Sequence, residues 1–216
     1  MSIATLVLGN SGSGKSTSLR NLDPAKTLTI QCIKKPLPFK STGFQRGVPG
    51  VSRGNLVFED NPASIEKLMR KSPHDVVVID DYQAVLINEL LARSSEKGYD
   101  KFTDIAKSAW HIFKAAADLA EHRRVYIMAH TKTDEYGQIR MMTVGKMVDS
   151  MIVPEGYFTI VLRADVVNNV HFFHTQSNGQ DCCKSPISMF DDITVPNDLN
   201  AVDASISSFY DLTTTA

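Results

Sequence analysis

Nine consecutive residues have the types and spacing to hold a chain of phosphates: Gly9, Asn10, Ser11, Gly12, Ser13, Gly14, Lys15, Ser16 and Thr17. Glycines at 9, 12 and 14 remove the Cβ atoms that would keep backbone N–H groups from turning inward around an anion. Lys15 has the reach to meet the β- and γ-phosphates of a nucleoside triphosphate such as ATP, and the Ser16 hydroxyl is placed to hold Mg²⁺. The pattern arises by chance in roughly one chain in a hundred of this length, so a plain glycine-rich surface turn is the weaker alternative.

A second group of residues complements the first. The apolar run Val76 to Ile79 ends in Asp80-Asp81, and an aspartate delivered at the end of a buried strand is what a second Mg²⁺ contact requires, here Asp80. Asp81 and Glu59 are candidates for the carboxylate that orients an attacking water, each set against a solvated or capping role. His130 closes the apolar run Val125 to Ala129 and is a candidate γ-phosphate sensor. A zinc site from His171, His174, Cys182 and Cys183 fails on spacing. Residues three apart in a strand face opposite ways, and adjacent cysteines rarely chelate one ion.

These residues need a scaffold that brings strand ends to one edge. Ile3 to Leu8 reads as the first strand, with a helix starting near Lys15 that adds its positive dipole to the phosphate site. Further strands are expected over Thr27 to Cys32, Asn55 to Phe58, Asp75 to Ile79 and Val125 to Ala129; the short β-branched runs suit a parallel sheet buried on both faces. Asn61-Pro62 sets an N-cap and first position for a helix to about Lys71. Helices follow over Ala84 to Ser94 and from Phe102 to near Glu121. Phe158 to Ala164 and Val170 to Gln176 predict an edge hairpin around Asn168-Asn169, and Leu199, Val202, Ile206 and Phe209 predict a last amphipathic helix. The alternation argues for a single α/β layered domain over residues 1–216.

A loop of roughly twenty residues after Cys32, carrying Pro36, Pro38, Gly43, Gly47, Pro49 and Gly50, is long enough to be functional, and Thr131 to Gly145 is a second such loop. Charge is segregated although the net charge is -1. Pro24 to Phe58 holds Lys26, Lys34, Lys35, Lys40, Arg46 and Arg53 and no acid; residues 186–216 hold five aspartates and no Lys or Arg. The pattern predicts a basic surface for a polyanion and an acidic C-terminal segment that competes with it or docks a single-strand DNA-binding protein. Phe39 and Phe44 among the basic residues have the composition of a site that stacks bases. Lys97 and Lys101 beside Tyr99, and Lys132, Arg140 and Lys146 with Met141 and Met142, form two further clusters. Composition is that of a globular protein, and no apolar stretch approaches the ~20 residues of a membrane span. The start runs straight into a strand, which predicts no cleaved signal, and three cysteines make no disulfide framework, so a cytoplasmic setting is expected.

The order of elements resembles a RecA-like P-loop NTPase core, a mostly parallel central sheet flanked by helices with a C-terminal β-hairpin. More closely, Gly9 to Arg20, Lys35 to Phe39, Asp80-Asp81-Tyr82, Lys97 to Phe102, His130-Thr131 and Lys184-Ser185-Pro186 are similar to segments of small phage-encoded ATPases, some of them single-strand annealing recombinases of the Sak group. The resemblance implies an ATP and Mg²⁺ site at Gly9 to Thr17 and Asp80, His130 as sensor, and single-stranded DNA contacts around Lys97 to Lys101 and Thr131 to Lys146. It also implies a homo-oligomer in which a neighbour's cation, Lys184 or Arg163, reaches the nucleotide. RecA-like recombinases carry a catalytic glutamate just after the second strand where this chain has Ile33-Lys34-Lys35, so slow hydrolysis is expected. Two other classes compete with annealing. A nucleotide-dependent loader or scaffold for a replication protein would bind protein rather than DNA, and a small-molecule kinase would need an arginine-rich lid that the sequence lacks.

Overall fold

The apolar runs assemble into one eight-stranded sheet in a computed structural model that describes residues 1–47 and 54–212. Pro49, Gly50 and Arg53, expected in the basic loop, lie outside the described residues. The strands are β1 (Ile3–Leu8), β2 (Thr27–Gln31), β3 (Leu56–Phe58), β4 (Val76–Asp80), β5 (Arg124–Ala129), β8 (Ile160–Val167), β9 (Val170–His174) and β10 (Thr194–Pro196), with β6 (Thr131–Thr133) and β7 (Ile139–Met141) paired apart as a hairpin. In space the order is β10-β9-β8-β1-β5-β4-β2-β3. From β8 to β3 every pairing is parallel; β9 and β10 join antiparallel at one edge. The result is an α/β fold with a mostly parallel sheet between helices, compatible with a Rossmann or P-loop type of architecture.

Side-chain alternation along the strands sorts two cores. Leu6, Leu8, Ile30, Val77, Ile79, Val125 and Ile127 face α1 (Pro62–Lys71), α2 (Gln83–Ala92), α3 (Asp100–Ala117) and α4 (Gly145–Met151). Val7, Val78, Tyr126, Met128, Ile160 and Leu162 face the opposite way, onto α5 (Leu199–Phe209) and a six-residue 3-10 helix, Ser16–Asn21. Because both faces are covered, the central strands read as continuous apolar runs.

Local chemistry explains the boundaries. Asn61 caps α1, its side-chain oxygen accepting from the Ser64 N–H at 3.1 Å, with Pro62 at the first position. The third helix stops at Ala117, short of Glu121, because Ser2 clamps its end: Ser2 Oγ donates to the Ala116 carbonyl at 2.6 Å and accepts from Leu119 N–H at 3.0 Å. Asn168 and Asn169 both take positive φ, 52° and 63°, as the two-residue turn between β8 and β9 requires. That hairpin is not wholly at the edge, since β8 pairs with β1.

Four expectations are corrected. The helix after the phosphate loop is a short 3-10 segment: Ser18 Oγ bonds back to the Lys15 carbonyl at 2.6 Å, and Asp23-Pro24 bars continuation. Thr131 to Met141 of the expected loop is a hairpin, and Gly145 opens α4; the Asp134 carboxylate accepts from the Tyr136 and Gln138 N–H groups, both at 2.9 Å, and Gly137 supplies φ 78°. Phe44 is buried and meets the half-buried Phe39 edge-on at 5.8 Å beside the second core, and Met141 is buried, so neither Phe44 nor Met141 offers a face to a base. The acidic segment, finally, is built into the fold. Pro196 ends an edge strand, and Leu199, Val202 and Ile206 of α5 are fully buried. Asp203 binds the buried Arg124 guanidinium through two bonds of 3.0 and 2.9 Å and accepts from Tyr126 OH at 2.5 Å. The segment is therefore no detachable mask for a basic surface.

Candidate functional site

Parallel pairing of β1, β5, β4 and β2 brings their C-terminal ends to one edge, and the site lies there. The loop after β1 turns over that edge. Gly9 passes so close to its surroundings that a Cβ would stand 2.5 Å from Ser13 Oγ and 2.8 Å from the Ala164 carbonyl oxygen. Gly12 and Gly14 take φ of 81° and 96°. On its outer side the loop is walled by β9 and β10: His171 Nδ1 lies 3.0 Å from the Ser13 carbonyl oxygen, and Arg20 donates to the Asn197 carbonyl at 2.7 Å. Among the described residues, the backbone N–H groups of Gly12, Gly14 and Lys15 meet no protein acceptor.

Within this cradle the Lys15 ammonium donates to the Gly9 carbonyl at 2.6 Å and the Asn10 carbonyl at 3.0 Å. Burial depresses its pKa to about 8, against the pull of Asp80 and Asp81 upward. Ser16 Oγ donates across to Asp80, 3.0 and 2.9 Å from the two carboxylate oxygens. Asp80 is fully buried, and burial first, then the neighbouring Asp81 charge, raise its pKa to about 6. A hydroxyl beside a carboxylate is a hard oxygen donor set, which fits Mg²⁺ completed by phosphate oxygens and water. The free loop N–H groups, the tight Gly9 passage and a lysine resting on carbonyl oxygens fit a polyphosphate in the same way.

The other expected residues fall out as follows. Asp81 is buried, holds φ at 60°, and forms an ion pair with Lys35. His130 Nε2 stands 3.7 Å from Asp81 Oδ1; burial, then the Lys15 charge, lowers the His130 pKa. Asn10, Ser11, Thr17, Lys35, Asp81 and His130 share with Lys15 the lining of a cavity of about 390 Å³. Glu59 is not among its lining residues; its carboxylate accepts from the N–H groups of Asp60 and Asn61 at 3.1 and 3.0 Å, at the entry to α1. Arg163 is held by Asp165 and Asp181 at 2.7 and 2.9 Å beside its own phosphate loop, so it is not a free cation for a neighbour's site. Lys184 is exposed, its backbone bridged to Val161.

Of the nine basic residues expected to meet DNA, five are engaged at home, Lys35 through its ion pair with Asp81. Arg46 donates to the Gln31 side chain and the Lys35 carbonyl, Lys101 to the Glu96 carbonyl at 2.9 Å, Lys132 pairs with Asp149, and Arg140 pairs with Asp134 at 3.2 Å. Lys34, Lys40, Lys97 and Lys146 are exposed and, among the described residues, have no acidic partner. His171 and His174 go to separate partners, Ser13 and Asp165, and no three His, Cys, Asp or Glu side chains converge among the described residues. No helix among them is long and apolar enough to cross a membrane.

Several contacts had no signal in the sequence. Gln83 Oε1 accepts from the His130 N–H at 3.1 Å, and Thr131 Oγ1 donates to Asn10 Oδ1 at 2.6 Å, tying the end of β5 to the phosphate loop. In the sequence Lys35 belongs to the basic loop, and only the pairing of β2 with β4 brings it to the cavity that Lys15 lines. No protein-family model matches the chain, and no curated protein matches its sequence.

Proposed function

We propose that the chain is a RecA-like, phage-type ATPase core that binds ATP with Mg²⁺, hydrolyses it slowly, and holds single-stranded DNA for annealing or strand pairing in recombination. The observation that carries the reading is the Ser16 to Asp80 contact: two residues 64 positions apart meet at 2.9 Å directly under a phosphate-shaped loop. The strand order adds to it. Because β5 lies between β1 and β4, His130 stands between the loop and the Asp80-Asp81 pair, the position the RecA-like resemblance gives to a sensor.

In this reading the N–H groups of Gly12, Gly14 and Lys15 cradle the phosphates and the Lys15 ammonium leaves its two carbonyls for the β- and γ-oxygens. Ser16 and Asp80 would hold Mg²⁺, which would supply neutralisation of the phosphate charge. The short 3-10 helix contributes little dipole, so Lys15 and the loop carry the anion affinity. Asp81 is the carboxylate that can orient water, and Ile33-Lys34-Lys35 standing after β2 in place of a glutamate supports slow turnover. DNA affinity falls to the four unpaired lysines, Lys34, Lys40, Lys97 and Lys146, with self-assembly and a single-strand DNA-binding protein as the partners to seek.

The test is the rate at which two complementary oligonucleotides anneal at one stated salt concentration, with wild type and Lys15→Ala, with and without ATP and Mg²⁺. Acceleration by wild type is the expected result. ATP binding without acceleration would replace annealing by the loader or scaffold role.

A further inference from the structure

Lys35 occupies a place that its sequence position does not advertise. As the chain leaves β2, the Cys32 N–H donates to the Asp80 carbonyl at 3.0 Å, which pins the following residues along the end of β4. Arg46 holds the Lys35 carbonyl at 3.3 Å, and Pro36 and Pro38 restrict the backbone beyond it. The ammonium is thereby delivered into the phosphate cavity, onto Asp81, alongside Lys15, Thr17 and His130. The two partners are unequal: the Asp81 side chain is 4% exposed and fixed, whereas that of Lys35 is 40% exposed and free to turn.

We propose that Lys35 is the cation that meets the terminal phosphate of the nucleotide from within the same chain, and that its pairing with Asp81 is the resting state of the site. The inference rests on the nucleotide reading above. Lys15, Ser16 and Asp80 mark where the β- and γ-phosphates are bridged, so the last phosphate is the group that reaches the end of β4, where Asp81 stands. A polyanion arriving beside two buried carboxylates requires a positive charge between them, and Lys35 is the mobile one lining that end of the cavity. Turning from Asp81 to the γ-phosphate exchanges one ion pair for another and leaves Asp81 able to accept a hydrogen bond from water. Arg163 cannot serve, being bound by Asp165 and Asp181. The nucleotide contacts are then complete in one protomer, and no neighbour's cation is needed.

Calorimetric titration of ATP and ADP in Mg²⁺ decides the matter. Lys35→Ala should weaken ATP at least tenfold while leaving ADP within threefold, and Lys35→Arg should restore most of the preference for ATP. Asp81→Asn, which removes the competing anion, should tighten ATP severalfold. Equal losses for ATP and ADP in Lys35→Ala, unchanged ATP affinity there, or weaker ATP binding by Asp81→Asn would each overturn the proposal. Wild type that binds neither nucleotide would overturn the nucleotide reading itself and this inference with it.

Discussion

Replacing Asp80 by asparagine should make the metal-free protein more stable while removing its response to Mg²⁺. Asp80 is fully buried, and its carboxyl is raised from an ordinary 3.8 to about 6, first by burial and then by Asp81. Keeping it ionised at neutral pH therefore costs the folded state about 3 kcal/mol at ~1.4 kcal/mol per tenfold change in proton affinity. Below pH ~4 the group is protonated in both folded and unfolded chains, so no cost arises. Between pH ~4 and ~6 the unfolded chain releases its proton first, stability falls as pH rises, and the full cost persists above. Asparagine is neutral throughout and still accepts from Ser16, although its amide N–H groups lack an assured acceptor, which takes back ~1 kcal/mol. The net gain is about 2 kcal/mol, or ~4–8 °C in Tm for a chain of this size. Thermal melts of wild type and Asp80→Asn in EDTA at pH 4 and pH 7.5 check it. A gain in Tm for Asp80→Asn at the higher pH only, with an equal or slightly lower Tm at pH 4, is expected, and adding Mg²⁺ with ATP should raise the wild-type Tm alone. A lower Tm for Asp80→Asn at pH 7.5 would refute the reasoning, because it would mean that Lys15, Lys35 and Ser16 already overcompensate the buried charge.

Nucleotide affinity should be full below pH 8 and decline as pH rises through and above it, since Lys15 loses its proton near 8 in the free protein and phosphate raises that value; titrations from pH 7 to 9.5 would show this, and Lys15→Arg should flatten the decline. Gly9→Ala should abolish nucleotide binding and cost about 1–3 kcal/mol of stability, because its Cβ would meet Ser13 and Ala164 inside contact distance; denaturant melts and binding titrations measure both. Asp203→Ala should cost about 3–5 kcal/mol, leaving the buried Arg124 guanidinium without its carboxylate, as a large drop in denaturation midpoint. Each of Lys34, Lys40, Lys97 and Lys146 changed to Ala should reduce the slope of log affinity for single-stranded DNA against log salt by about 0.7, with no change in base preference.

The glycine-rich turn after β1, the strand that ends in Asp80, α1 and the parallel core were legible because each depends on near neighbours in sequence. Asn61-Pro62 caps its own helix, and Val76 to Ile79 has the composition of a strand covered on both sides. What stayed hidden depends on pairing between distant segments. Lys35 reads as one more basic residue until β2 is laid beside β4. The aspartates after Pro186 look like a solvated tail because charge patterns do not reveal that Asp203 has a buried arginine at position 124. Phe44 illustrates the same point from the apolar side: its neighbours in sequence are basic, but its neighbours in space are core.

The placement of β1 also governs how the protein can be made. Its first strand pairs with residues from Arg124 to Ala129 on one side and from Ile160 to Arg163 on the other. At ~5–20 residues per second of synthesis, β1 therefore waits on the order of ten seconds before its permanent neighbours exist. During that interval Ile3 to Leu8 is an unpaired apolar strand, and the phosphate loop at its end has no wall behind it. Nascent chains should depend on a chaperone or on rapid elongation, and ribosome-bound fragments ending before β8 should be captured by holdases in a way that full-length chains are not.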